Sequence, residues 1–159
     1  MATTIAAADL AVTITETITI NGQSLGGTNT KQFLAANAPA DPITSVYKRV
    51  INVPTSEITL WTAHATAVSG AQLDKDLIVY ARVTNKDDTN YVELRVTDSG
   101  SGEFVYKLAA GESFLLHAHS DCMGAHASRA AGAPDAHITG VEAKANTAAC
   151  DVEIFIASK

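Results

Sequence analysis

The chain has 159 residues, a formal net charge of −6 and a pI near 5.2. This excludes phosphate-backbone binding, which needs a concentrated basic face, because the longest basic run is Lys48-Arg49. Apolar residues make up 47% but aromatics only 6%, and charged residues only 18% against roughly 25% in ordinary soluble domains. That balance predicts a thin core, as between two packed sheets, under a weakly charged surface suited to being covered by partners.

The length predicts a single domain over 1–159, large enough to bury about 68–70% of its unfolded surface. No apolar stretch approaches the roughly 18 residues of a membrane span. The opening MATTIAAADL lacks the basic and apolar regions of a secretory signal, so the mature chain is expected to begin there. Cys122 and Cys150 form neither a zinc spacing nor a CxxC pair, and reduced thiols are expected.

In chain order, Val12, Ile14, Ile18 and Ile20 alternate with threonines, and Glu16 interrupts the apolar face once. Asn21-Gly22 readily takes positive φ and closes a turn. Residues 23–42 hold Gly26-Gly27, Pro39, Pro42 and a short apolar knot at Phe33-Leu34, and read as an irregular connection. Residues 1–42 are therefore expected to form an extended arm plus a first strand. A strand at 46–53 sets Tyr47, Ile51 and Val53 on one face with Arg49, and Pro54 ends it because it cannot donate to a ladder. The next strand, 57–64, places Ile58 and Leu60 opposite Trp61. That position makes Trp61 either an outward interface anchor or a core residue.

Period-two alternation is strongest over 77–116. Leu77, Val79, Ala81 and Val83 share one face. Val92, Leu94 and Val96 follow, then Phe104, Tyr106 and Leu108, then Phe114 and Leu116. Three polar or glycine-bearing turns separate them, so an antiparallel meander with one buried face is expected. A second small-residue loop, 120–136, precedes two final strands at 138–145 and 151–157. The sum is nine or ten strands without a helix: an all-β, antiparallel, jelly-roll-like sandwich.

No catalytic motif matches this scaffold in strength. Five residues separate Gly111 from His117-Ala118-His119, the spacing that opens the first cupin motif, and a strand would place both imidazoles on one face. A cupin also needs a following glutamate and a second histidine motif, and this chain supplies neither. With Phe114, Leu116 and Ala118 as the buried set, His117 and His119 point outward with Leu115. No metal or cofactor is expected. His64 and His137 carry no motif, Asp74, Asp76, Asp87 and Asp88 read as solvated turns, and no GxSxG occurs.

The segments SVYKRVINVPTSEITLW, LIVYARVTNKDDTNYVELRV and FVYKLAAGESFLL, in that order over roughly 45–116, resemble small β-rich virion proteins of tailed bacteriophages. The nearest in size and composition are head-decoration or cement proteins, which are often trimeric. The resemblance implies a non-enzymatic protein of the capsid exterior, assembled in the host cytoplasm. Its expected partners are its own copies and the major capsid protein, with no nucleic acid and no membrane. The N-terminal segment and the 120–136 loop would make the contacts, with Trp61, Phe33, Leu34, Leu115, His126 and Arg129 as interface candidates. A glycan-binding tail module using Trp61 or Tyr91, and a cupin-like metalloprotein using His117 and His119, are the alternatives.

Overall fold

The structure, a computed structural model, describes residues 8–34, 43–65, 72–117, 124–126 and 135–159. It divides into two compact units, Met1–Thr44 and Ser45–Lys159. Among the described residues every regular element is a strand.

The first unit is built from β1 (Leu10–Thr15), β2 (Thr19–Ile20), β3 (Gln23–Ser24) and β4 (Thr28–Phe33). β1 pairs antiparallel with β4 from Leu10↔Phe33 to Thr15↔Thr28, and β2 pairs with β3. Asn21 and Gly22 close the inner hairpin with φ of 52° and 79°, the two left-handed residues that a tight turn needs. The stretch expected to be irregular from residue 23 thus contains two strands. Its short polar run Thr28–Phe33 is ordered by the ladder with β1, not by an apolar pattern of its own.

The second unit holds β5 (Ser45–Val53), β6 (Ile58–His64), β7 (Leu73–Asp74), β8 (Ile78–Asn85), β9 (Val92–Asp98), β10 (Glu103–Leu108), β11 (Ser113–His117), β12 (Gly124–His126), β13 (Asp135–Ala145) and β14 (Cys150–Ser158). One sheet runs β10-β9-β13-β6-β7, with β12 also paired to β13, and the other runs β11-β8-β14-β5. All the long pairings are antiparallel, and the short β6–β7 contact is parallel. The two sheets form a β-sandwich. Leu60, Trp61, Leu94, Leu108 and Val141 from one sheet share a buried cluster with Val53, Val83, Val152, Ile154 and Ile156 from the other. Burying each such aliphatic side chain contributes roughly 1.5–3 kcal/mol.

The chain crosses between sheets at almost every step, and of the consecutive long strands only β9 and β10 stay together as a hairpin. This corrects the expected four-strand meander over 77–116. Alternation reveals which side chains face a core, but strands of both sheets face the same core and so carry the same pattern. Leu77 also precedes its strand and is exposed. A bulge leaves Val79 without a partner on β14, so Ile78 joins Ala81 and Val83 in the core cluster. Within 120–136, expected to be one loop, residues 124–126 form β12 and β13 already begins at Asp135.

Candidate interaction surface

Trp61 is 4% exposed and belongs to the core. Its neighbour Leu60 is equally buried, although strict alternation would send one of them outward. β13 explains this: Val141 pairs with Trp61 while the next residue, Glu142, pairs with Thr59, so Leu60 is the extra residue of a bulge. A bulge turns two consecutive side chains toward one face. Trp61 is therefore corrected from an interface candidate to a core anchor, and its indole Nε1 has no hydrogen-bond partner among the described residues. Phe33 is likewise corrected. It is 1% exposed, with the Lys31 ammonium 5.3 Å above its ring centroid, and Leu34 is half-buried.

On β11, Phe114 and Leu116 pack against the core as expected. Leu115 pairs with Arg82 and His117 with Tyr80, on the opposite side of the strand, where His117 is exposed. Cys122, His119 and Arg129 lie outside the described residues. His126 is placed only by its backbone, in register with Asp135. Among the described residues no three His, Cys, Asp or Glu side chains converge as metal ligands. Cys150 is a buried free thiol directed at the Ala148 carbonyl at 3.5 Å, and burial first, then the charge of Asp87, pushes its pKa up.

The outer faces of the sandwich carry charge in pairs. Arg95 on β9 contacts Glu57 through Nε at 3.0 Å and Nη2 at 2.5 Å, with Glu103 at 3.3 Å and Glu142 at 3.8 Å. These carboxylates, Glu57 foremost, hold its guanidinium pKa above the ordinary value. On the other sheet Glu153 is bonded by Arg82 and lies 3.5 Å from Lys48. Burial opposes its ionisation, but those two cations outweigh it and the carboxyl stays below its usual range. His137, which carries no motif in the sequence, lies with Nδ1 2.5 Å from Asp76, whose carboxylate also meets Lys75 at 2.5 Å. No sequence signal announces that triad, because residues 76 and 137 come together only through the β13 pairing.

Apolar exposure falls in two places. In the first unit Ile14, Ile18, Ile20 and Leu25 are exposed, Leu25 at 62%. A depression of about 280 Å³ there is lined by Ile14, Glu16, Gly27, Thr28 and Asn29. Among the described residues of the second unit the exposed set is Phe104, Val105 and Tyr106 on β10, Val46 and Val50 on β5, and Leu77 just before β8. Phe104 and Tyr106 meet the Phe114 ring at centroid distances of 6.2 and 4.9 Å. Both strands are sheet edges. An unpaired strand edge that carries exposed apolar side chains is a surface on which another chain can pair.

No protein-family model matches the chain, and no curated protein is found similar to it.

Proposed function

We propose that this protein is a structural component of a tailed-phage virion, most simply a capsid decoration or cement protein that associates as a homotrimer and binds neighbouring capsid subunits. The observation that carries the reading is the first unit. It is two short hairpins with Ile14, Ile18, Ile20 and Leu25 exposed, and only Phe33 and Ile43 are buried among its described residues. An isolated hairpin of this size is marginal in water and gains stability by laying its apolar side chains against something else. A neighbouring subunit supplies that cover, and binding only the assembled lattice stabilises the lattice by mass action.

The sandwich supports the same reading. Counted along the second unit, its eight long strands lie in the orders first-eighth-third-sixth and second-seventh-fourth-fifth. We read that order as a double-Greek-key jelly roll, an architecture that capsid proteins share with lectins and cupins. The burial of Trp61 removes one of the two aromatic platforms that a glycan site would have used, and the Lys107 ammonium lies 4.1 Å from the ring centroid of the other, Tyr91. The outward placement of His117 sets it on the wrong side of β11 for a ligand held inside a cupin barrel.

Co-sedimentation of the purified protein with capsid shells that lack it, together with native mass spectrometry, tests the proposal. The expected result is a metal-free trimer that pellets with shells and raises their disruption temperature. A chain that stays in the supernatant, and whose binding is indifferent to loss of residues 1–20 and 120–136, overturns it.

A further inference from the structure

The free edge of β10 is built to pair with itself. Asp98 N donates to Gly102 O at 3.0 Å, which makes these two a hydrogen-bonded pair of the β9–β10 hairpin. Backbone direction then alternates along the strand. Phe104, Tyr106 and Leu108 direct their N–H and C=O groups toward β9, and Glu103, Val105 and Lys107 direct theirs away from it. The opposite parity of the neighbouring strand agrees: Ser99 N donates to His137 O at 2.8 Å and Tyr91 O accepts from Asn146 N at 3.2 Å, both on the β13 side. β10 ends its sheet, and no described strand takes up the outward groups.

We propose that two copies of this chain join by antiparallel pairing of β10 with β10 about a two-fold axis at Val105. In that register Val105 faces its own copy as a hydrogen-bonded pair, Phe104 faces Tyr106, and Glu103 faces Lys107. The strand Glu-Phe-Val-Tyr-Lys is thus complementary to its own reverse: opposite charges at the ends, aromatic pairs inside them, and a β-branched residue at the centre. An isologous contact requires this kind of self-complementarity. The exposure fits as well, since Val105 is 61% exposed and Phe104 and Tyr106 are the exposed aromatic pair beside it. Proteins that protect an edge strand place a proline, a bulge or charged side chains on it, and charges repel a second copy only where like faces like. β10 has no proline, its ladder with β9 is unbroken, and its two charges are of opposite sign.

The edge strand β5, whose Val46 and Val50 are also exposed, behaves differently. β5 carries Lys48 and Arg49 at its centre, so antiparallel self-pairing there brings cation against cation. Charge therefore selects β10 over β5, and pairing continues one sheet across both protomers.

The inference does not depend on the capsid reading. Sedimentation-velocity measurements of the wild type, Lys107→Glu, Glu103→Lys, the double swap and Val105→Pro test it. The wild type should show concentration-dependent two-fold association, as pairs of the proposed trimer or, if no trimer forms, as dimers. Lys107→Glu should weaken it by roughly tenfold, by placing Glu opposite Glu at both ends of the pairing. Glu103→Lys should weaken it too, though it also meets Arg95 within the chain, and the double swap should restore it. Val105→Pro should abolish it, because it removes the outward N–H at the axis while leaving the bonds to β9 intact. If that variant fails to fold, the charge swap decides alone. A wild type without two-fold association, or a double swap no stronger than its single variants, overturns the β10 pairing. A trimer unmoved by every variant does so while leaving the capsid proposal standing.

Discussion

Nδ1 of His137, at the start of β13, lies 2.5 Å from Oδ1 of Asp76, in the turn between β7 and β8, and Lys75 Nζ reaches the same oxygen at 2.5 Å. The contact ties a turn leading into one sheet to a strand of the other. Lys75 foremost holds the Asp76 carboxyl below its ordinary value; burial opposes it next in size, and His137 adds to the lowering. Folding therefore favours the ionised form. The contribution is complete above the unfolded value of about 3.9 and is lost as pH falls through the lower folded value. Asp76→Asn should be less stable than wild type at neutral pH, with the gap closing in strong acid. Half of the Asp76 side chain is in solvent, so the difference is small. Urea melts across the acid range measure it, and a gap that widens on acidification contradicts the pairing.

The bulge at Leu60 makes a sharper prediction. Trp61 fills the space between the sheets, so Trp61→Ala should cost about 3–5 kcal/mol of stability, the usual range for emptying a core aromatic site. The tryptophan emission of the folded wild type should be blue-shifted and move to the red on unfolding. A Trp61→Ala variant of unchanged stability would mean that the indole lies on the surface, and the bulge assignment would fall with it.

Asn85 is the polar counterpart of Trp61. Fully buried at the end of β8, it donates through Nδ2 to the carbonyls of Asn90 at 2.8 Å, Ala109 at 3.2 Å and Leu108 at 3.3 Å, and accepts from Asp87 N at 3.1 Å. One side chain thus fastens the β8–β9 turn to the point where β10 leaves its sheet for β11. Asn85→Ala strands buried carbonyls and should cost about 2 kcal/mol. Hydrogen exchange should show the loss as faster opening of residues 85–91 and 108–112, and uniform protection there would refute it.

What the sequence could convey follows from how these features arise. Alternation marks Leu94, Val96, Leu108, Phe114 and Leu116 as core-facing because each strand carries that information locally. The same signal cannot say that β8 and β9 belong to different sheets, since both present an apolar face to one core. Bulges at Leu60 and Val79 reverse the phase of a strand without any proline or glycine to announce them. β4 is legible only through its partner, because TNTKQF has no apolar period and gains its order from pairing with β1. Positive φ at Asn21 and Gly22 was readable because residue type alone dictates it. The self-complementarity of β10 was printed in five letters, but it acquires meaning only when the fold makes that strand an edge.

Gly26 offers a way to separate the two units. A Cβ at this position would fall inside the van der Waals contact of the Glu16 carbonyl oxygen, so no other residue fits without moving backbone. The ladder on either side depends on that approach: Glu16 N donates to Gly27 O at 2.8 Å and Leu25 N to Ile18 O at 3.0 Å. Gly26→Ala should therefore disrupt the inner hairpin that presents Ile18, Ile20 and Leu25. The second unit has its own core, so its unfolding transition should move by less than about 0.5 kcal/mol, as expected where two sites act independently. If the first unit is what grips a neighbouring subunit, the variant should keep the sandwich intact and lose capsid binding. A variant that binds shells like the wild type would shift the gripping role to the sandwich edges, and a variant whose sandwich melts early would show that the two units are energetically coupled.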